Sequence, residues 1–189
     1  RLSGDPQQAR FKMLALWRMM AQTLESLHSF GYLHGDLQPA HFIASQDLAT
    51  VTLLDFGLCA KHGKLPFLYR GAMLHFNAPE IAAGILQNSL SIAPNVQSEV
   101  YSFGAVLYFL YTGTVPIEYG DNESPYSEKL EAVAQGRRKA ISNNHNFHHP
   151  GIDLFLNELL HLDPRMRPAG LSAVVNKIAT LEVMANGQL

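Results

Sequence analysis

Two carboxylates occupy positions from which a reaction could be built. Asp36 lies in Leu33-His34-Gly35-Asp36-Leu37-Gln38-Pro39-Ala40-His41-Phe42, and Asp55 lies in Leu53-Leu54-Asp55-Phe56-Gly57. The first sits on a loop after a helical pattern, the second at the end of a strand pattern beside a glycine. Phosphoryl transfer uses such a pair. One carboxylate orients the attacking hydroxyl, and the other holds the Mg²⁺ that bridges the phosphates. Each triplet alone is a weak signal, because matches of that length arise by chance. Both in order, with a β-hairpin pattern between them, form a much stronger one.

Three further stretches follow in order. Asn77-Ala78-Pro79-Glu80 closes a long aperiodic segment, Ser98-Glu99-Val100-Tyr101-Ser102-Phe103-Gly104 opens an apolar helix, and Asp163-Pro164-Arg165-Met166-Arg167-Pro168 precedes the last helix. Together the five motifs resemble the C-terminal lobe of a eukaryotic-type protein kinase, over nearly the whole chain. The resemblance implies that Asp36 orients the substrate hydroxyl and accepts its proton. Asp55 would bind Mg²⁺, with Phe56 and Gly57 as its packing and hinge residues. A pair between Glu80 and Arg167 is implied, as are a structural role for His34 and a bracing role for Glu99, which stands where an aspartate is usual. ATP and Mg²⁺ are the implied cofactors, and the implied acceptor is a protein hydroxyl, Ser/Thr-type ahead of Tyr. The His-Gly-Asp triplet also resembles small-molecule phosphotransferases of the aminoglycoside and choline kinase type. The Ala-Pro-Glu closure and the late arginine favour the protein-kinase branch.

Several positions depart from that pattern. Gly35 replaces the arginine that couples the family's catalytic loop to activation-loop phosphorylation, so such control is not expected here. From Leu58 to Pro79 the activation segment holds no Ser or Thr, and only Tyr69 carries a phosphorylatable hydroxyl. Gln38 stands where Ser/Thr kinases place a lysine against the transferring phosphate. An amide donates a hydrogen bond but offsets no charge, and losing one such contact costs on the order of 3–4 kcal/mol of transition-state stabilisation. His41 stands where an asparagine supplies a second Mg²⁺ ligand, and imidazole suits Zn²⁺ or Cu²⁺ better than Mg²⁺. One-metal chemistry through Asp55 survives that change. The loop threonine that helps place a peptide substrate is missing, with Ala72 or Met73 in its region.

The elements that must position these residues read as one mainly α-helical unit with a small β-hairpin. Asp5-Pro6 starts a helix, Met13, Leu16, Trp17, Met20, Leu24 and Leu27 mark its apolar face, and Gly31 supplies the stop. Phe42–Ser45 and Val51–Asp55 read as strands joined by a polar turn at Gln46 and Asp47. Phe56–Asn77 reads as a long loop. Helices are expected over Pro79–Ile85, Glu99–Tyr111, from a Ser124-Pro125 cap to about Ala140, and over Ile152–His161 and Leu171–Ala185. The unit divides into a pre-catalytic helix (1–30), a catalytic loop, hairpin and Asp-Phe-Gly triplet (31–57), an activation segment (58–80) and a helical subdomain (81–189).

Composition bounds the rest. The 189 residues are 47% hydrophobic and 16% charged with a net charge of −2, which fits a chain with a buried core and excludes a disordered one. That balance gives no support for nucleic acid or an anionic membrane as partner. Val100–Ile117 is free of charge, but its helical part ends near Tyr111. About twelve residues span roughly 17 Å, too little for a bilayer, so a helix buried in protein is expected. The single cysteine, Cys59, excludes an internal disulfide and fits a reducing, cytoplasmic compartment. Nothing lowers its pKa, and it reads as an ordinary small apolar residue. His145, His148 and His149 have no close carboxylate in sequence and read as a solvated loop. Gly136-Arg137-Arg138-Lys139 reads as a basic helix end.

No glycine-rich loop or lysine-bearing strand precedes the first helix. The resemblance therefore implies an N-terminal lobe as partner, and little ATP binding by this stretch alone. Two functions from different classes fit these residues. Asp36 and Asp55 point to an ATP- and Mg²⁺-dependent protein kinase. Gly35, Gln38, His41 and the absent threonine point to a pseudokinase that binds a protein substrate or regulatory protein.

Overall fold

Asp5 and Pro6 start the first helix for local reasons. Helix α1 runs Pro6–Ser29, Asp5 accepts a hydrogen bond from the Gln7 amide at 3.1 Å, and proline at the first position forfeits no bond. The computed structural model describes residues 5–64, 73–89, 92–120, 123–141 and 148–185. Tyr69, Ala72 and His145 lie outside them. The face that α1 buries consists of Ala9, Leu14, Trp17, Met20, Ala21 and Leu24, with Met13, Leu16 and Leu27 on its flanks. Leu14, outside the periodicity drawn from sequence, is among the most deeply buried.

After α1 the chain makes two small antiparallel sheets. Strand β2 (Phe42–Ala44) pairs with β3 (Val51–Leu53) in the register Phe42↔Leu53, Ile43↔Thr52, Ala44↔Val51. Their turn is longer than Gln46-Asp47, because the Ser45 hydroxyl accepts from the Ala49 and Thr50 amides at 3.1 and 3.0 Å. The second sheet was not expected: β1 (Tyr32–Leu33) pairs with β4 (Ala60–Lys61) inside the segment read as loop. Strands of two residues carry no period of their own, so only the long-range pairing defines them.

Helix α2 (Pro79–Leu86) opens with proline at its first position. Helix α3 (Val96–Thr112) starts three residues before the expected Glu99. Asn95 and Ser98 form a reciprocal capping box there, at 2.9 Å in each direction. It is the centre of the molecule, with Val100, Phe103, Ala105, Val106 and Leu107 fully buried. At Gly104 a Cβ would stand 2.6 Å from the Leu159 Cβ of helix α5 (Pro150–Leu159), so the two helices cross at contact distance. No helix among the described residues is long and apolar enough to span a membrane.

Helix α4 (Tyr126–Ala134) is shorter than the expected run to Ala140 and gains no side-chain cap from Ser124. Arg137 and Lys139 leave the helix to bond Glu118 and Pro116 through their backbones at 2.8 Å each. Gly136 was the sequence signal for that break. Helix α5 begins at Pro150, two residues early, where the His149 ring caps the Gly151 amide. Helix α6 (Leu171–Ala185) matches its expected bounds and lies along α1. That contact is sealed by Arg18 with Glu182 at 2.9 Å and by Ser172 with Glu25. The observed fold is mainly helical, six helices and two small sheets among the described residues.

Candidate active site

The loop carrying Asp36 is held from beneath by one buried carboxylate. Glu99, on α3, accepts from the Gly35 amide at 2.7 Å and the His34 amide at 3.0 Å, and meets the His28 ring at 2.5 Å. The glutamate thus reaches both loop amides despite its extra methylene. His28 was not singled out in sequence. It lies 71 residues from its partner, and only the packing of α1 on α3 joins them. His34 is fully buried and ties three places together. Its Nε2 donates to the Leu54 carbonyl at 2.8 Å, its Nδ1 accepts from the Asp36 amide at 3.3 Å, and its ring packs on Phe56 at 5.4 Å. The histidine therefore links the Asp36 loop to the strand end bearing Asp55.

Gly35 has φ +79°, and a Cβ there would fall 2.6 Å from the Leu58 carbonyl oxygen. Backbone, not a movable side chain, fills the space, so residue 35 must lack a side chain in this conformation.

Asp36, His41 and Asp55 converge, with one ligand-type atom from each lying within 4.8 Å of the others. The Pro39–His41 turn brings this about. His41 Nδ1 lies 2.8 Å from the Asp36 carbonyl oxygen, and the His41 carbonyl accepts from the Leu54 amide at 2.9 Å. His41 Nε2 then faces Asp55 Oδ2 at 3.5 Å. Asp55 adopts φ +60°, rare for a residue with a side chain, while its Oδ1 accepts from the Gly57 amide at 3.2 Å. Its carboxylate is largely exposed, as is Phe56.

The Asp36 carboxylate is half-buried and meets two donors. Gln38 Nε2 approaches Oδ2 at 3.4 Å, and the Met73 amide approaches Oδ1 at 3.3 Å. Gln38 thus turns its amide on the neighbouring carboxylate. Met73, expected only as a substitute for the missing threonine, meets Asp36 through backbone.

Away from this centre, Arg167 is buried and uses all its donors. It forms a two-pronged pair with Glu80 at 2.7 and 2.9 Å, and donates to the His161, Gln97 and Leu162 carbonyls. Its guanidinium also covers the Tyr101 ring at 4.9 Å, and burial pushes that phenol up to about 12. The basic run departs from its expected role. Arg138 reaches across to the Leu160 carbonyl and Asn157, so it serves the end of α5, not of α4. His148 does have a close carboxylate, Asp153 at 2.7 Å, which the sequence distance concealed. Cys59 is half-buried, and burial raises its thiol pKa, with the Glu99 carboxylate adding to the effect.

The donor set sorts into two parts against the metals expected. Asp55 offers an oxygen that Mg²⁺ accepts, while the neighbouring position presents imidazole nitrogen. That does not fit a pair of oxygen-ligated Mg²⁺ ions.

The comparisons agree with this architecture. The protein kinase domain family matches residues 6–178. The zebrafish (Danio rerio) maternal embryonic leucine zipper kinase is 32% identical over 154 residues, covering 80% of this chain and 21% of that protein. Mouse (Mus musculus) ribosomal protein S6 kinase alpha-6 is 27% identical over 154 residues, covering 79% of this chain and 19% of that protein. Dual specificity protein kinase pyk3 of Dictyostelium discoideum is 24% identical over 183 residues, 93% of this chain and 12% of that protein. The chain spans about a fifth or less of the length of these relatives. With its helical architecture and a family match over nearly its whole length, the chain belongs to the protein kinase domain family.

Proposed function

We propose that this chain carries the phosphoryl-transfer half of a protein kinase, moving the γ-phosphoryl of ATP to a serine or threonine hydroxyl of a protein. The observation that carries the proposal is the convergence of Asp36, His41 and Asp55, one ligand-type atom from each lying within 4.8 Å of the others. An acceptor hydroxyl donates to the Asp36 carboxylate, which orients the oxygen and takes its proton as the new P–O bond forms. Glu99 and His34 hold the loop so that this carboxylate needs little reorganisation. Asp55 contributes the oxygen toward the metal–nucleotide side. The glycine-rich loop and lysine that hold ATP from above belong, in this proposal, to an N-terminal lobe.

A pseudokinase reading is favoured by one specific contact. Gln38 turns a neutral amide toward Asp36 at 3.4 Å, and that position supplies no cation to a transferring phosphate. The test uses the full-length protein, labelled ATP and mixed protein acceptors. Label on serine and threonine that disappears in Asp36→Ala supports the kinase reading. Equal labelling by wild type and Asp36→Ala leaves the binding module as the function.

A further inference from the structure

We propose that the Asp36–His41–Asp55 cluster is a site for a divalent transition ion that takes mixed nitrogen and oxygen ligands, Mn²⁺ or Zn²⁺, in preference to Mg²⁺. The proposal deepens the phosphoryl-transfer reading by naming its metal. A carbonyl oxygen only accepts hydrogen bonds, so His41 Nδ1, at 2.8 Å from the Asp36 carbonyl, carries the hydrogen. In the neutral ring the Nε2 lone pair is then left facing Asp55 Oδ2 at 3.5 Å. Nε2 and Oδ2 thus face one another at the spacing of two ligands, so a metal ion held between them would take the place of the proton that otherwise joins them as an ion pair. Ligands of one ion, each about 2.0–2.2 Å from it, stand roughly 3–4 Å apart, and 3.5 Å falls inside that range.

Two further features match a built ligand set. A metal-binding histidine ordinarily donates its other ring nitrogen to a carbonyl or carboxylate, which fixes the tautomer and ring plane, and the Asp36 carbonyl does this here. Asp55 is held in its left-handed conformation with Oδ1 on the Gly57 amide, leaving Oδ2 for the shared position. His41 itself is buried and set by the Pro39–His41 turn. Mg²⁺ demands oxygen ligands and sheds water reluctantly, whereas first-row transition ions accept imidazole readily. The ligand chemistry therefore excludes the family's usual ion as the preferred one.

The experiment titrates Mn²⁺ into the full-length protein without nucleotide, following loss of the free-ion electron paramagnetic resonance signal. Stoichiometric binding, displaced by Zn²⁺ but resistant to about a hundredfold excess of Mg²⁺, is the expected result. His41→Asn should weaken Mn²⁺ binding by about tenfold or more and erase the preference over Mg²⁺. Because His41 is buried, Asp55→Asn, at an exposed position, gives the same test without touching the core. Its melting temperature should stay unchanged while Mn²⁺ binding falls. Displacement by equimolar Mg²⁺, or unchanged Mn²⁺ affinity in both variants, would overturn the proposal. Selective Mn²⁺ binding without phosphoryl transfer would keep the site and remove the transfer reading. Transfer supported by Mg²⁺ and indifferent to His41→Asn would do the reverse.

Discussion

Gln38 and Gly35 both depart from the kinase pattern, yet they do so for different physical reasons. Gly35 is forced: its φ of +79° and the Leu58 carbonyl leave no room for a side chain. Restoring an arginine there should therefore destabilise the loop and not revive phosphorylation control. Gln38 is under no such constraint, since its amide meets Asp36 only at 3.4 Å. Gln38→Lys should raise the turnover of the full-length protein, on the order of a hundredfold, by returning a cation to the transferring phosphate. A steady-state ATPase or transfer assay reads the change directly. Cys59 gives a prediction of opposite sign. Its raised pKa keeps thiolate scarce at neutral pH, so iodoacetamide should label it more slowly than an exposed cysteine peptide. Labelling should accelerate as pH rises beyond the ordinary thiol range. At this scale the sequence pointed to Asp36, His41 and Asp55, and the fold brings them within 4.8 Å of one another. It was silent on the Met73 amide and the His28 ring, because backbone donors and partners 71 residues away leave no local pattern.

Arg167 shows how one side chain binds several elements together. Its bonds join the first turn of α2, the start of α3 and the chain beyond α5, and every donor is used. Arg167→Ala should cost about 3–5 kcal/mol, because it leaves a carboxylate and several carbonyls unpaired. A fall of about 6–20 °C in melting temperature would measure this. Glu80→Ala should cost less, since Glu80 is partly exposed and Arg167 keeps its three carbonyl acceptors. A second element-scale prediction concerns the α3–α5 crossing. Gly104→Ala drives a Cβ to within 2.6 Å of Leu159 and should destabilise by about 1–3 kcal/mol, seen as a lower denaturant midpoint. Helices α1, α2 and α6 were legible for local reasons: an Asp5 cap and Pro6 start α1, Pro79 starts α2, and apolar spacing runs the length of α6. Strands β1 and β4 and the end of α4 were not. Their boundaries are set by pairing across the chain, at Leu33↔Ala60 and at Ile117↔Arg138.

The molecule as a whole is organised around α3, which buries its whole middle and presents Glu99 to the loop above. The lengthwise packing of α1 on α6 was not readable from either helix alone, since each declares only which face is apolar and not what covers it. In the function proposed above, Asp36 and Asp55, which these elements bring to one cluster, act as a single catalytic unit. The most direct test is ATP-dependent phosphoryl transfer by the full-length protein, comparing wild type, Asp36→Ala, Asp55→Ala and the double variant with Mn²⁺ supplied. Each single variant should lose at least about a hundredfold in kcat, and the double variant should lose little more, because groups acting as a unit are not additive. Equal background rates in all four proteins would contradict the account.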